Sequence, residues 1–475
     1  MHPRLSGFQP VGTGSLVVVR GVGKRFVIIG GGPAGATCAT YAARYGAEVV
    51  LIEKDLIGGA AHLLDCVPSK AMIATGGAMS LMNHAAEMGL ATVIVELDFA
   101  ALSDRIQDIE DRLEESVTSL LESQGVRIIG GTGKLVSPTQ VEATPNNGGP
   151  IQLLDADVIV LCTGSRPRVP DWAPIDGVRV LTTRQAYPPP ELPEHLIVVG
   201  SGVTGVEFVH MFSSFGSEVT LVVSRQQVLP DKDPEVAAVL EQSFLDRGVK
   251  LLKGARATSI DADGSKVVVH TDDGRAVEGS HTLLAIGSIP NSENLGLENA
   301  GLEAKWGYVN VDHNCLSPVP GIYVAGDLSG RLPLSSVAST QGRKIAEHAM
   351  GLHAAPHRHI DYDKAASAIF TDPEIADVGL AEADAFSEGR KIRVTKVPFS
   401  VSAKALINND SRGFVKIVSD PATGVVLGGS IVGRHAAELI SVLALAVSAR
   451  LTVTDLVESI FVHPALAEVL AEAAE

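Results

Sequence analysis

Two copies of one short pattern constrain the fold more than any other feature of this chain. Each copy is a buried apolar run, a glycine turn, an amphipathic helix and a second apolar run, and the copies span residues 24–54 and 195–225. Each turn reads GxGxxG, with Gly30, Gly32 and Gly35 in the first copy and Gly200, Gly202 and Gly205 in the second. Inside a βαβ unit this spacing lets the backbone meet a pyrophosphate at a helix N-terminus. The sequence therefore predicts an α/β protein that binds two dinucleotides.

The two copies differ where a ribose would be recognised. Glu53 lies eighteen residues after Gly35, where a carboxylate can bind a ribose diol. The same offset from Gly205 reaches Val223, which is followed by Ser224 and Arg225. A hydroxyl and a guanidinium suit a 2′-phosphate, so the second copy favours NADPH. The alternative interpretation of Arg225 is a solvated surface charge.

Composition narrows the classes of function. With 475 residues, several domains are expected, and a net charge of −17 argues against nucleic acid or an anionic membrane as partner. The four cysteines contain no CxxC pair, which excludes a zinc site or a disulfide framework and indicates a reducing, cytoplasmic setting. No apolar run reaches the ~18 residues that a membrane span needs. Residues 1–24 are expected to be a leader outside the fold.

Further motifs follow the two glycine turns. The runs 158–167 and 282–291 are apolar and end in small residues, where a chain can pass close to a ligand. The run 321–330 ends in Gly326-Asp327, whose carboxylate suits a polyol hydroxyl or merely caps the next turn. From about residue 356 the pattern becomes that of an α+β module with a long apolar helix. The chain ends with His463 and Glu468 around a proline.

This set of motifs, in this order, resembles the flavoprotein pyridine nucleotide–disulfide reductases, and lipoamide dehydrogenase most of all. The resemblance spans residue 25 to the end. It implies FAD on the first copy, NADH or NADPH on the second, and a C-terminal module that forms a homodimer. The implied domains are 25–165 and 287–355 for FAD, 166–286 for NAD(P) and 356–475 for dimerisation. Besides the motif glycines, Glu53, Ser224 and Arg225, the implied cofactor contacts are Gly59, Lys70, Gly133, Thr163, Gly164, Gly287, Gly326 and Asp327.

The segment that carries the family's redox disulfide departs from its pattern. The family has GG-x-C-x₄-C-x-PSK, whereas residues 58–70 read GGAAHLLDCVPSK. Ala61 stands at the first cysteine, which attacks the disulfide substrate, and Cys66 retains the second, which faces the flavin. Asp65 stands where the family usually has glycine, and its negative charge disfavours a thiolate at Cys66. Reduction of a disulfide by the family's route is therefore not expected.

The residues that the family uses to oxidise NAD(P)H are present in this sequence. Lys70 and Glu207 match the family's ion pair near flavin N5, while His463 and Glu468 match the pair that reaches the flavin of the other subunit. Hydride is expected to pass to the flavin and then directly to a flat acceptor, a quinone, with His463 supplying a proton. An ordinary buried ion pair and a packing histidine are the alternatives for these residues. For the whole chain the alternatives are a soluble transhydrogenase and a flavin-loaded binding or sensor protein.

Overall fold

The structure, a computed structural model, describes residues 23–83, 85–91, 95–352 and 359–475. Nearly all of the expected leader, residues 1–22, lies outside the described residues, and so does the expected boundary at 355/356. Lys24 already belongs to the fold, because its ammonium donates to the carbonyl of Ala349 at 2.6 Å.

Twenty-four strands are assigned in the described residues, most of them short and apolar. In chain order they are β1 (Arg25–Ile29), β2 (Glu48–Glu53), β3 (Arg127–Ser137), β4 (Gln140–Pro145), β5 (Gln152–Asp155), β6 (Val158–Leu161), β7 (Ser165–Pro167), β8 (Val180–Thr182), β9 (His195–Val199), β10 (Glu218–Val223), β11 (Lys250–Lys253), β12 (Ala257–Ala262), β13 (Val267–Thr271), β14 (Ala276–Gly279), β15 (His281–Leu284), β16 (Ser288–Pro290), β17 (Ala304–Lys305), β18 (Tyr308–Val309), β19 (Ile322–Val324), β20 (Ser367–Ile369), β21 (Glu374–Gly379), β22 (Arg393–Pro398), β23 (Phe414–Ser419) and β24 (Val426–Gly433).

Eleven α-helices are assigned in the same ranges. They are α1 (Pro33–Arg44), α2 (Val67–Asn83), α3 (Phe99–Ser123), α4 (Val203–Ser214), α5 (Pro234–Asp246), α6 (Ser335–Ala349), α7 (Glu382–Ser387), α8 (Ala403–Ile407), α9 (Ala436–Ala449), α10 (Val453–Val457) and α11 (Glu468–Glu472). A π-helical turn, Ala61–Cys66, leads directly into α2. None of the described helices is long and apolar enough to cross a bilayer.

The first glycine copy forms the centre of a seven-stranded sheet. Its order is β19-β6-β1-β2-β3-β4-β5, parallel from β19 to β3 and antiparallel from there to β5. Strand β1 is buried at four of its five residues, as expected for a parallel strand that is covered on both faces. Helices α1 and α6 pack against each other on this sheet. The predicted βαβ unit is present, with β2 ending at Glu53.

The second glycine copy forms the centre of a separate sheet. Its order is β11-β10-β9-β15-β8, all parallel, and an antiparallel sheet β12-β13-β14 adjoins it in sequence. The chain leaves the first sheet after β6 and returns to it at β19. The two crossing segments pair with each other as β7 and β16. This return places the loops after β6 and after β15 side by side.

The C-terminal part is an antiparallel sheet covered by an apolar helix. The order is β20-β21-β24-β23-β22, and α9 packs on β21 and β24. The core between them includes Ile417, Ile431, Ile440 and Leu443, each at most 3% exposed. The predicted class, two dinucleotide-binding sheets and a C-terminal α+β module, is confirmed.

Candidate active site

The first glycine turn is closed against its own sheet in a way that only glycine allows. Gly30 has φ = +109°, and a Cβ there would lie 2.2 Å from the carbonyl oxygen of Cys162. A Cβ on Gly35 would lie 1.9 Å from the carbonyl oxygen of Gly30. Gly32 caps α1 without a side-chain hydrogen bond, so the first amides of the helix are left for a ligand. This cradle fits the pyrophosphate of FAD.

Glu53 lies across the mouth of that cradle. Its Oε2 accepts a hydrogen bond from the amide of Gly31 at 2.6 Å, and its Oε1 accepts one from the amide of Asp55 at 2.9 Å. The carboxylate is thereby fixed at the end of β2, beside the glycine turn. This is the position from which it would bind a ribose diol.

The second glycine turn repeats the geometry of the first. Gly200 has φ = +111°, a Cβ there would lie 2.3 Å from the carbonyl oxygen of Ala285, and a Cβ on Gly205 would lie 1.8 Å from Gly200 O. Gly202 caps α4 without a side-chain bond. Ser224 and Arg225 follow β10 directly and are exposed. Both side chains are therefore free to approach a nucleotide phosphate at this edge of the sheet.

Of the other glycine and threonine contacts expected for the cofactors, all but one lie in the segments that follow strands of the two sheets. Thr163 and Gly164 follow β6, and Gly287 follows β15. The Thr163 hydroxyl donates a hydrogen bond to the carbonyl of Asn291, and the Asn291 amide donates one to the carbonyl of Gly164. Gly59 lies against the first glycine turn, where a Cβ would be 2.5 Å from Gly32 Cα. The exception, Gly133, lies inside β3, where a Cβ would press on the side chain of Ile29, so packing already requires glycine there.

Asp327 does not cap the turn that it begins. Its Oδ2 accepts a hydrogen bond of 2.5 Å from the Ser165 hydroxyl, while the amide of Gly326 donates to the side chain of Gln341. Gly326-Asp327 is thereby tied to the loop after β6. The second carboxylate oxygen can accept a further hydrogen bond, and the polyol contact expected from the sequence stays a prediction.

Lys70 and Glu207 form an ion pair between α2 and α4. The Lys70 ammonium lies 3.0 Å from Glu207 Oε1 and 2.9 Å from Oε2, and it lies 4.8 Å from the centre of the Phe370 ring. The Phe370 amide also donates to Oε1 at 3.0 Å. Glu207 is 4% exposed, whereas the Lys70 side chain is 32% exposed. The carboxylate is thus fully held by the protein, and the ammonium retains one open side.

Cys66 ends the π-helical turn just before Lys70 and is partly exposed. Burial is the largest cause that raises the pKa of its thiol; Lys70 opposes the rise, and Glu207 and Asp65 add to it. Burial raises the pKa of Asp65 to about 6, although the guanidinium of Arg184 lies 3.1 Å from its Oδ2. The effect that the sequence predicts for Asp65 has the right sign, but desolvation is the larger cause. Burial therefore disfavours the thiolate form of Cys66.

Every other sulfhydryl of the chain lies in the core. Cys38, Cys162 and Cys315 are at most 6% exposed, and they pack among the apolar side chains of the seven-stranded sheet and its helices. All four cysteines are free. Ala61, at the position of the missing thiol, is exposed. No thiol of this chain replaces the one that Ala61 lacks.

His463 and Glu468 form an exposed pair near the C-terminus. The imidazole Nδ1 lies 2.7 Å from Glu468 Oε1, and the amide of Ala465 donates to Oε2 at 2.8 Å. These two contacts, the backbone one first, lower the pKa of Glu468. The His463 side chain is 73% exposed, so its other ring nitrogen faces outward. The carboxylate orients the imidazole without burying it.

Three contacts of the site have no signal in the sequence. The Phe370 amide on Glu207, Arg184 on Asp65 and Ser165 on Asp327 each come from a residue more than 100 positions away. The first two join different modules and form only where those modules pack against one another. The third joins the segments that follow β6 and β19, which are neighbouring strands of the seven-stranded sheet.

Comparison with known proteins places these features in one family. The pyridine nucleotide-disulphide oxidoreductase family matches residues 24–342, and the dimerisation domain of the same family matches residues 365–474. The chain belongs to this family. The resemblance stated from the motifs is therefore confirmed, and the match to the dimerisation domain supports the expected homodimer.

Relatives with two different names match nearly the whole of this chain. An NAD(P)H dehydrogenase (quinone) from Mycobacterium tuberculosis is 42% identical over 465 residues, covering 95% of this chain and 93% of that protein. A dihydrolipoyl dehydrogenase from Chlamydia muridarum is 34% identical, with 94% and 95% covered. The crystal structure of LpdA from Mycobacterium tuberculosis has a TM-score of 0.90 at 41% identity, covering 95% of this chain and 99% of that one.

Family membership and the two cradles together establish the coarse activity. The protein is an NAD(P)H-dependent flavin oxidoreductase that uses FAD and a pyridine nucleotide. The comparisons leave the electron acceptor open, because one of these relatives is named for a quinone and the other for a dihydrolipoyl group. The residues beside Cys66, the single partly exposed cysteine, bear on that choice.

Proposed function

We propose that this chain is an NAD(P)H dehydrogenase that delivers electrons from its flavin directly to a quinone, without a redox disulfide. The observation that carries the proposal is the unpaired Cys66: Ala61 lacks the second thiol, and the other three cysteines are buried in the core. The relative named NAD(P)H dehydrogenase (quinone), which covers 95% of this chain, supports the same acceptor. The net reaction is NAD(P)H + H⁺ + quinone → NAD(P)⁺ + quinol.

Two pairs of residues would act on the reaction, one on the reduced flavin and one on the quinone. Bound FAD supplies the chemistry by which a hydride equivalent is accepted from the nucleotide and passed to the acceptor. Lys70, held by Glu207, offers a fixed cation that favours negative charge on the reduced ring. His463 from the other subunit, oriented by Glu468, donates the proton that a quinone oxygen needs. The His463 side chain is exposed on a single chain, as it has to be if it is to reach the flavin of the other subunit.

In this proposal, Arg225 at the edge of the second sheet determines the preference between NADPH and NADH. We expect Arg225→Ala to lower kcat/KM for NADPH about tenfold or more and to leave NADH almost unchanged, because only NADPH has a 2′-phosphate for a guanidinium to bind. Steady-state kinetics with both nucleotides and a saturating quinone measure this. Arg256, which is exposed and directly precedes strand β12, serves as the control. Equal losses with both nucleotides would make Arg225 a surface charge.

The acceptor is tested by separating the two half-reactions. The protein is reduced anaerobically with one equivalent of NADPH or NADH, then mixed in a stopped-flow instrument with benzoquinones, naphthoquinones, oxidised lipoamide or an NAD analogue. We expect rapid reoxidation by quinones and at least 100-fold slower reoxidation by lipoamide, because no dithiol is formed. Rapid reoxidation by the NAD analogue alone would indicate a transhydrogenase. Failure of both nucleotides to reduce the flavin would indicate a binding or sensor protein.

A further inference from the structure

The loop that follows β20 brings the C-terminal module against the ion pair of Lys70 and Glu207. Its first residue, Phe370, donates its amide to Glu207 Oε1 at 3.0 Å. The Lys70 ammonium lies over the ring of the same residue, 4.8 Å from the ring centre. One residue thus contacts the carboxylate through its backbone and the ammonium through its side chain. Neither contact is needed for dimerisation, the role expected of this module.

The chain on either side of Phe370 is held in place by contacts of its own. Ile369, just before it, is 1% exposed and belongs to the apolar core that also contains side chains of α2 and α4. Two residues after it, the carbonyl of Asp372 accepts a hydrogen bond of 2.7 Å from the Ser243 hydroxyl on α5. The Asp372 carboxylate accepts a further bond from the Arg412 guanidinium. The backbone of Phe370 is therefore fixed from both sides, and its ring is presented to the Lys70 ammonium by the fold.

An aromatic ring is a suitable second partner for this ammonium. The face of the ring carries negative electrostatic potential and attracts a cation that lies within about 6 Å of its centre, more strongly where water is partly excluded. The Lys70 side chain is long, flexible and 32% exposed, so the ion pair with Glu207 alone leaves it freedom to move. Unlike a second carboxylate, the Phe370 ring restricts the ammonium without adding net negative charge beside it.

We propose that Phe370 is a positioning residue for Lys70, acting through the face of its ring. The ring holds the ammonium beside Glu207 and leaves its exposed side for the flavin. The C-terminal module then acts on the flavin site of its own chain, in addition to the role of His463 at the other subunit. The inference rests on the proposed function only for its flavin half, since no acceptor is involved. Phe370 itself need not contact the flavin.

The test replaces Phe370 of the holoenzyme with phenylalanine analogues that carry one, two or three fluorine atoms on the ring. Each fluorine withdraws electron density from the face of the ring and hardly changes its size. The flavin midpoint potential, measured electrochemically without nucleotide, should become more negative with each fluorine because the cation is less well held. Anaerobic flavin reduction by NAD(P)H should slow about two- to fivefold over the series, with an unchanged KM for the nucleotide. The control is the trifluoro analogue at Phe414, whose ring centre lies 5.3 Å from the Lys396 ammonium, and it should change neither quantity.

Repeating the series in Lys70→Met tests the route through the ammonium. If the Phe370 ring acts through Lys70, fluorination no longer changes the potential once the cation is gone. Wild-type potential and rate throughout the first series would make Phe370 an ordinary packing residue and would overturn the inference. A shift that persists in Lys70→Met would overturn it as well, because the ring would then act on the flavin by another route. If the wild-type flavin is reduced by neither nucleotide, the proposed function fails, while the potentials still decide the role of Phe370.

Discussion

Lys70→Met should slow the reduction of the flavin by NAD(P)H about 100-fold, the size of effect seen when one preorganised electrostatic group is removed from an active site. The methionine keeps most of the side-chain volume of α2 and removes the ammonium that lies within 3.0 Å of both Glu207 oxygens. Nucleotide binding should change little, because the cation is expected to face the ring system of the flavin. Stopped-flow reduction at saturating nucleotide measures the rate directly.

The same substitution also affects stability, and this effect has to be separated from catalysis. Removing one partner of a buried pair costs about 3–5 kcal/mol, because Glu207 would keep a charge with only the Phe370 amide to balance it. Lys70→Met combined with Glu207→Gln removes that stranded charge and should restore most of the stability but none of the rate. Lys232→Met, which breaks an ion pair of 2.6 Å with Asp377 between modules, is the matched control and should leave the rate unchanged. Recovery of the rate in the double variant would contradict the role of Lys70.

His463→Ala should lower quinone reduction about 100- to 1000-fold, as expected for the loss of a positioned general acid. The first half-reaction should stay within about twofold of wild type, because His463 lies on the surface of its own chain and bonds only Glu468 among the site residues. Anaerobic stopped-flow experiments measure the two half-reactions separately. A slow second step with a normal first step is the signature of an acid that acts on the acceptor.

The control for this experiment is a second exposed histidine–carboxylate pair in the same chain. His270 Nε2 lies 2.8 Å from Asp261 Oδ2 on the β12–β13 hairpin, away from both glycine turns. His270→Ala should leave both half-reactions unchanged. An unchanged rate of quinone reduction in His463→Ala would show that the acceptor takes its proton elsewhere, and the role assigned to the His463–Glu468 pair would be withdrawn.

Much of this site could be predicted from the sequence because short motifs impose it locally. The contact between Gly35 and the carbonyl of Gly30, and that between Gly205 and the carbonyl of Gly200, follow from spacing within one turn. Glu53 and Arg225 follow from the length of a βαβ unit. These residues need only their own strand and helix to be placed.

The contacts between modules could not be predicted in the same way. Arg184 lies in a loop whose sequence carries no chemical motif, and it reaches Asp65 only because two sheets pack together. For Cys66 the sequence offered the charge of Asp65, but desolvation, the larger cause of the raised thiol pKa, depends on the whole fold. A local sequence pattern shows neither which side chains become buried in the fold nor which distant residues bind them.

The most direct test of the account is the rate of NAD(P)H-dependent quinone reduction by Cys66→Ser. The account predicts a rate within about tenfold of wild type, a change in barrier of ~1.4 kcal/mol or less, because electrons pass from the flavin without a thiol. Cys66→Ser keeps the size and polarity of the side chain, so a modest change through the flavin's surroundings is allowed. The contradicting result is substantial reduction of lipoamide or another disulfide by the wild type, abolished in Cys66→Ser. A second thiol would then have to replace the one missing at Ala61, and the protein would be a disulfide reductase.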